Sequence, residues 1–330
     1  MKLMNHRLLY RFAAVADIHI DLENGGKSTY FIHAERNLRR ALEIIKLHNC
    51  DFIISAGDQV TNASGAEEEW RRYRRIIYES GYDGLTLEAM GNHETRSAKY
   101  GLNTLEDCRR DFIRYTKLDE KPITRPAGKT YYEYAEPNSG DVFLFLSLEN
   151  GVSTNEIDNF SADQMDWVEQ QLMICRREKR RVFLVQHANV YGSGVGDDKD
   201  RPAYAGALRT HDKNGQPFVN NLRFYNLMYG YPEVIWLSGH THIDLRDRLN
   251  YADRPCHMLH IPSLAGSTRI VSDRGGGHVL DRTFTGDNAQ GYIVEVYHDR
   301  AVFTGIDFLT DTRYPDFTYT VEARLRLQHF

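Results

Sequence analysis

Short apolar runs alternate with longer polar segments along this chain, and the alternation predicts its secondary structure. Runs of four to eight residues dominated by Val, Ile, Leu and Phe are typical of buried strands, whereas apolar residues three and four positions apart indicate one face of a helix. Strands and helices follow each other in this way over the first two thirds of the chain, which favours an α/β fold. Strands are predicted at about 8–16, 51–56, 85–90, 142–148, 181–186 and 233–237, and helices at about 32–48, 66–80, 104–115, 161–175 and up to residue 229.

The pattern changes in two places. A polar segment at about 191–218, rich in Gly and Asp, is long for a loop in a compact domain, and such loops are typically lids or binding loops. We therefore expect it to cap the active site. Beyond residue 244 the apolar period shifts towards two, which predicts strands near 245–250, 257–261, 291–298 and 301–308. No Pro/Ser-rich linker divides the chain, so residues 1–330 are interpreted as a single domain.

Composition excludes several classes of protein. The chain has 330 residues and a net charge of −5, which argues against a nucleic-acid polymer or an anionic membrane as partner. Its 4 cysteines are widely spaced, which argues against a disulfide scaffold and a zinc–thiolate site. No apolar run approaches the ~20 residues that span a bilayer. The N-terminal apolar stretch is interrupted by Arg11 and is interpreted as a strand, so a cytoplasmic location is the default expectation.

Five of the predicted strands end in polar residues that can bind metals. In alternating strand–helix folds the carboxyl ends of the strands lie at one edge of the sheet, where ligands bind. A single His-x-His pair, whose members face one side in extended backbone, is more often a pair of loop histidines. Repetition at five strand ends instead predicts a metal site. The strand ends are Asp17-Ile18-His19, Gly57-Asp58, Gly91-Asn92-His93-Glu94, His187 and Gly239-His240-Thr241-His242.

The candidate ligands are too many for one four-coordinate ion. Divided between two ions with one shared carboxylate, these oxygen and nitrogen ligands suit Mn, Fe or Zn. Two such ions ~3.5–4 Å apart activate a water and neutralise the oxygens of a phosphate ester. The set comprises Asp17, His19, Asp58, Asn92, His187, His240 and His242.

The ordered motifs resemble those of the calcineurin-like metallophosphoesterase superfamily. They run from Asp17 to His242, and the predicted strand pair from Gly291 to Phe308 is similar to the end of members related to class III cyclic-nucleotide phosphodiesterases. The resemblance implies a four-layer αββα sandwich, in which two mixed β-sheets lie face to face with helices outside. It also implies hydrolysis of a phosphate ester by in-line attack of a metal-bridging hydroxide.

The resemblance further implies a role for each site residue. His93 would assist the leaving group as an acid or a transition-state electrophile without binding metal. The metal ligands would divide into two sets around one bridging carboxylate: Asp17, His19 and His242 on the first ion, Asn92, His187 and His240 on the second, and Asp58 between them.

Three further residues are candidates for supporting roles. Glu94 could orient His93, or it could be a structural carboxylate at a helix N-terminus. Asp244 could orient a ligand histidine through a hydrogen bond. Asn189 lies after His187, where the family often has a second histidine, and this departure concerns substrate contacts more than metals. Asn62, in a segment that departs from the family pattern after Asp58, is left open.

The resemblance favours a phosphodiester substrate, such as a cyclic nucleotide or a small glycerol-type diester. A phosphomonoesterase of the same fold is an alternative, and so is a non-catalytic interaction scaffold, a role that usually accompanies loss of ligands. All seven ligand positions are filled here, which favours an enzyme. We therefore expect a small phosphate ester as substrate and two metal ions as cofactors.

Overall fold

The structure is a computed structural model that describes residues 7–22, 32–61, 67–151, 157–191, 193, 208–247, 250–273, 280–284 and 287–322. None of the helices it describes is long and apolar enough to cross a membrane. The helices are α1 (Ala34–Leu47), α2 (Glu67–Glu79), α3 (Arg96–Lys99), α4 (Leu105–Thr116), α5 (Ala162–Glu178) and α6 (Val219–Gly230).

The strands form two six-stranded mixed sheets and a separate hairpin. In chain order the strands are β1 (Leu8–Val15), β2 (Phe52–Ser55), β3 (Leu85–Glu88), β4 (Tyr132–Ala135), β5 (Val142–Phe145), β6 (Val182–Val185), β7 (Ile235–Ser238), β8 (Tyr251–Ala252), β9 (His257–His260), β10 (Thr268–Asp273), β11 (Leu280–Phe284), β12 (Gln290–Tyr297), β13 (Arg300–Asp307) and β14 (Thr312–Glu322). The first sheet has the order β14-β13-β12-β1-β2-β3 and the second β4-β5-β6-β7-β9-β8, while β10 and β11 form the hairpin.

The two sheets pack face to face, with helices on both outer sides. Alternate residues of one strand point to opposite faces of a sheet. In β5, Phe143 accordingly belongs to the core between the sheets, whereas Leu144 packs in a second core with α5 and α6. Buried residues of α1, α2 and α4 cover the outer face of the first sheet. The predicted four-layer αββα sandwich is confirmed.

Aromatic rings fill the space between the sheets. Phe12 of β1 stacks on Phe52 of β2, with ring centroids 5.3 Å apart. Across the interface Phe12 meets Phe143 of β5 and Phe183 of β6 edge-on, at 5.3 and 5.6 Å. Edge-to-face pairs at this spacing add to the stability that burial alone provides. The aromatic core therefore holds the two sheets together at strands whose carboxyl ends carry the site.

Backbone hydrogen bonds join the two sheets at the carboxyl ends of their strands. Leu264, which follows β9 of the second sheet, donates to Ala16 O at 2.9 Å, and Ala16 follows β1 of the first. Within each sheet the central strands are parallel: β1, β2 and β3 in the first, and β5, β6, β7 and β9 in the second. Their polar ends therefore converge from two sheets, not from one as the alternating pattern alone suggested.

Some elements differ from the sequence prediction. The strand predicted at 245–250 is wrong, because residues 245–247 form a turn in which Asp247 N donates to Asp244 O at 2.9 Å. The strand β14 was not predicted, because Val321 is its one fully buried residue and the apolar pattern is correspondingly weak. Most of the 191–218 insertion lies outside the described residues, although Leu208 pairs with Val190. Its role as a cap stays a prediction.

Candidate metal centre

The strand ends that carry the candidate ligands have an unusual backbone. Asp17, His19, Asp58, His240 and His242 all have positive φ, between 52° and 74°. L-residues other than Gly adopt this left-handed conformation rarely, and such residues cluster at functional sites. The two histidines of the last motif are therefore not in the extended backbone that would point both of them to one side. Each of the two turns individually towards its own set of ligands.

The first set consists of Asp17, His19 and His242, whose ligand atoms lie within 4.8 Å of one another. His242 Nε2 is 3.1 Å from Asp17 Oδ1 and 3.1 Å from His19 Nε2. All three residues were predicted to share the first ion, and the structure brings them together. Asp17 and His19 are buried, while the side chain of His242 is 19% exposed, so the set opens to solvent on one side.

The second set gathers around His187, which is fully buried. Its Nε2 is 3.0 Å from Asp58 Oδ2, 3.0 Å from Asn92 Oδ1 and 3.2 Å from His240 Nδ1. On the other side of the ring Nδ1 lies 2.7 Å from Ala56 O. Because a carbonyl only accepts, Nδ1 carries a proton, so Nε2 is the nitrogen that can bind a metal once it is unprotonated.

Asp58 lies between the two sets. The oxygen that approaches His187 is also 3.8 Å from His19 Nε2 in the first set. A second link joins the sets through the backbone, since His240 N donates to Asp17 Oδ2 at 2.8 Å. The geometry matches the bridging position that the resemblance implied for Asp58, and the ligand roles of all seven residues stay predictions.

The donor set fits two bound cations. Asp17 Oδ1 is buried and faces imidazole nitrogens, with His242 Nε2 at 3.1 Å and His19 Nε2 at 3.7 Å. Imidazole nitrogens face each other in both sets at 3.1 and 3.2 Å. A buried carboxylate is costly unless positive charge or donors surround it, and imidazole nitrogens that converge without a shared proton or cation repel each other. A cation at the centre of each set would attract both the carboxylate oxygens and the imidazole lone pairs.

Charges within the site shift the pKa values of its residues. Burial opposes ionisation of Asp17 and Asp58, but neighbouring histidines outweigh it, so the pKa of each carboxyl is lowered. Burial also opposes a charge on His187, yet the Asp58 carboxylate beside it raises the pKa of His187 to about 9. For His240 burial, followed by the proximity of His187, lowers the pKa to about 3. The Asp58 carboxylate thus favours a second proton on His187, which a metal ion would have to displace from Nε2.

Metal binding should therefore release a proton near neutral pH. Below about pH 9, both ring nitrogens of His187 carry a proton when no metal is bound, and Nε2 becomes a ligand only after losing its proton. We expect affinity for Mn²⁺ to rise about tenfold per pH unit between about pH 6 and 8 and to level off near the pKa of His187. Calorimetric titration in two buffers of different ionisation enthalpy measures the released proton. A binding enthalpy that is identical in both buffers would contradict this assignment.

His93 lies beside the two sets, and one of its ring nitrogens is within 4.8 Å of the ligand atoms of His19 and Asp58. Its Nε2 is 4.0 Å from Asp58 Oδ2, and its ring centroid is 4.6 Å from that of His19. Nδ1 lies 3.1 Å from Thr61 O, and the backbone N donates to Asp58 Oδ1 at 2.8 Å. Burial lowers the pKa of His93 to about 3. With 15% of the side chain exposed, the ring can meet a bound molecule.

Glu94 supports the loop that carries Asp58. Its buried carboxylate accepts hydrogen bonds from the backbone N–H groups of Gly91 at 2.7 Å, Gln59 at 2.7 Å and Asp58 at 3.1 Å. These donors favour the carboxylate form, whereas burial first and the Asp58 charge second raise the pKa of Glu94 to about 8. The bonds support a structural role that joins two ligand loops.

The other two supporting candidates lie close to the ligand segments in sequence. Asp244 is buried and is held by Arg246, whose Nε and Nη2 lie 2.7 and 2.6 Å from its two oxygens, and by Gln290 at 3.3 Å. Asn189 is buried, and among the described residues neither polar atom of its side chain has a hydrogen-bond partner. Their proposed roles, orienting a ligand and contacting substrate, stay predictions. Asn62 lies outside the described residues.

A buried hydrogen-bonded chain behind the last motif was missed by the sequence analysis. The amide of Asn250 donates to the carbonyls of Asp244 at 2.8 Å and Asp247 at 2.7 Å, so its Oδ1 must accept from His260 Nδ1 at 2.9 Å. His260 Nε2 therefore carries a lone pair and accepts from the Thr241 hydroxyl at 2.8 Å. The signal was available, because His260 also stands at the end of a strand.

This chain fixes Thr241, which lies between two candidate ligands, and its loss should weaken metal binding. We expect Thr241→Val to lower the affinity for Mn²⁺ by ~10-fold or more, as loss of a group that orients ligands typically does. Thr241→Ser keeps the hydroxyl and should bind as wild type does. Equal affinity of the Val variant and wild type, measured by calorimetry, would show that the chain does not position the ligands.

Comparison with known proteins agrees with this geometry. The calcineurin-like phosphoesterase family matches residues 10–244, which is more than half of the chain. The chain therefore belongs to the calcineurin-like phosphoesterase family, as its motifs indicated. A dinuclear metal site is typical of that family, and the two sets described above are the candidates for it. The closer likeness to class III cyclic-nucleotide phosphodiesterases stays a prediction.

Solved structures share the fold at low sequence identity. A dimetal phosphatase from Danio rerio is 14% identical with a TM-score of 0.57, and the match covers 96% of this chain and 100% of that one. A purple acid phosphatase from seeds of yellow lupin, Lupinus luteus, is 12% identical with a TM-score of 0.58. That match covers 95% of this chain but 53% of the lupin enzyme. No curated protein matches the chain at a significant level.

Proposed function

We propose that this protein hydrolyses phosphate esters with two metal ions held by the seven candidate ligands. The observation that carries the proposal is the position of Asp58 Oδ2, 3.0 Å from His187 Nε2 and 3.8 Å from His19 Nε2, between two sets of converging ligand atoms. When bound, two such ions would supply Lewis-acid activation of a water and charge neutralisation at the phosphoryl oxygens. Mn, Fe and Zn all suit this donor set.

The protein's own residues would hold and orient the reacting groups. Glu94 and the backbone of Gly91 fix the two loops that carry Asp58 and Asn92. His93, held by Thr61 O and partly exposed, is placed to meet the leaving oxygen of a bound ester. The ester itself would enter from the open side, next to His242.

His93 is proposed to stabilise the departing oxygen, so the effect of replacing His93 on the rate should depend on the leaving group. We expect His93→Gln to lower kcat by ~10²- to 10⁴-fold for an alkyl ester, whose leaving group is a strong base, and less for a 4-nitrophenyl ester. Metal content should remain that of wild type. An alkyl ester that the variant hydrolyses as fast as wild type does would refute the role.

For the ester type we propose a phosphodiester, on the resemblance of the β12–β13 pair to the end of diesterase-related members. A phosphomonoester is the second candidate, because both similar solved structures are named phosphatases. The proposed partner is a small phosphate ester in either case.

The test uses metal-free protein reloaded with Mn²⁺ and assayed on bis(4-nitrophenyl) phosphate and 4-nitrophenyl phosphate. Turnover that requires metal supports the proposal, and the ratio of the two kcat/KM values decides between diester and monoester. Absence of turnover on both esters, with two ions bound per chain, would support the scaffold alternative.

A further inference from the structure

Arg96 has its guanidinium against the proposed leaving-group residue. It is the first residue of α3, directly after the loop that carries Asn92 and His93, and it is half-buried. Its Nη1 lies 3.1 Å from His93 Nδ1 and 3.3 Å from His93 Nε2. Arg96 therefore touches a residue that itself touches Asp58 and His19 of the candidate metal centre.

The charge of Arg96 lacks a carboxylate partner in the described part of the chain. No Asp or Glu there forms an ion pair with its guanidinium. By contrast, the buried Arg181 pairs with Asp141 at 3.1 Å, and the half-buried Arg11 pairs with Glu295 at 2.5 Å. A half-buried guanidinium is usually paired, because removing it from water is costly.

Most hydrogen-bond donors of Arg96 are also available. A guanidinium has five N–H donors, whereas a neutral imidazole offers one lone pair. The contact with the His93 ring involves Nη1 alone, and no described residue accepts a hydrogen bond from Nε or Nη2, a pair of parallel donors that suits an oxyanion with two oxygens. These donors of Arg96 lie beside His93, which is on the leaving-group side of the proposed reaction. A substrate group that binds Arg96 would therefore belong to the leaving group.

We propose that Arg96 binds an oxyanion, a carboxylate or a phosphate, carried by the leaving group of the substrate. The inference rests on the proposed function, because His93 marks the leaving-group side only if the centre hydrolyses esters. It narrows the substrate class to phosphate esters whose leaving group bears a second negative charge. Arg96 would thereby determine specificity without taking part in bond cleavage.

The experiment compares two esters whose leaving phenols have similar acidity, phenyl phosphate and 3-carboxyphenyl phosphate, or their methyl diesters if the protein prefers diesters. Wild type, Arg96→Gln and Arg96→Lys are assayed with Mn²⁺. We expect Arg96→Gln to lose ~10- to 100-fold in kcat/KM on the carboxylated ester, mainly through KM, and less than about threefold on the phenyl ester. Arg96→Lys should restore part of the loss because it keeps the charge.

Lys99→Gln is the matched control, because Lys99 is exposed on the same helix and its loss also removes one positive charge. The Lys99→Gln substitution should change kcat/KM by no more than about twofold on either ester. Equal losses on both esters in Arg96→Gln, or no loss on either, would overturn the inference while leaving the proposed function intact. If wild type hydrolyses neither ester nor any nitrophenyl ester, the proposed function itself fails.

Discussion

Asp58→Asn should lower kcat/KM by on the order of 10³-fold or more and reduce the metal content of the protein, because Asp58 stands between both ligand sets. The substitution keeps the shape of the side chain but removes the charge and one of two equivalent oxygen ligands. Asn tolerates the left-handed backbone at this position, where φ is 57°. The Asp58→Asn variant should therefore fold, so a loss of activity and of metal would reflect a change at the metal centre. Metal analysis and steady-state kinetics on the reloaded protein measure both effects.

Asp83→Asn is the control for this experiment, since Asp83 is an exposed carboxylate that belongs to none of the segments carrying candidate ligands. It should retain wild-type activity and two ions per chain. If Asp58→Asn bound two ions with wild-type affinity and kept its activity, Asp58 would not be a bridging ligand. Circular dichroism of both metal-free variants confirms that the comparison is between folded proteins.

Gly91→Ala should be nearly as damaging, although the change adds a single methyl group. A Cβ at Gly91 would lie 2.3 Å from Asp58 Oδ1, 2.8 Å from Asp58 N and 3.0 Å from Glu94 Oε2. Two of the three are parts of the loop that Glu94 holds in place, so they cannot yield without moving Asp58. We expect a loss of about 1–3 kcal/mol in the free energy of unfolding, typical of overpacking. Activity should fall ~100-fold, because a displacement of about 1 Å in a reacting geometry has that effect.

Gly230→Ala provides the matched substitution, because a Cβ at Gly230 would meet nothing within 4 Å. Gly230 ends α6, where Ala is at least as compatible with a helix as Gly is. The control should unfold at or slightly above the wild-type temperature with full activity. A Gly91→Ala protein that matches Gly230→Ala in thermal unfolding and in kcat/KM would show that the ligand loops are more adaptable than the structure indicates.

Much of the fold could be predicted from the sequence because the central strands are fully buried. Runs such as Val142–Phe145 and Val182–Val185 are apolar throughout, and each ends close to a residue with a metal-binding or turn-forming side chain. The C-terminal strands were harder to predict. β14 has mostly exposed residues. The segment 245–250 has leucines at 245 and 249, an even spacing that a strand also shows, although Asn250 holds the backbone of residues 244–247 in a turn.

The site could be predicted as a set of residues but not as a geometry. The motifs identified which side chains would gather, because strand ends converge at a sheet edge in this kind of fold. The left-handed backbone that aims His240 and His242 at different sets is a tertiary effect that no local pattern encodes. Arg96 was missed for the same reason: nothing in its sequence context distinguishes it from the solvated arginines of neighbouring helices.

The central claim is that seven residues from two sheets form one two-metal centre. A crystal structure of Mn²⁺-loaded protein with anomalous scattering data tests it most directly. We expect two anomalous peaks ~3.5–4 Å apart, one among Asp17, His19 and His242 and the other among Asn92, His187 and His240, with Asp58 between them. A single peak, or two peaks of which either lies away from these residues, would contradict it.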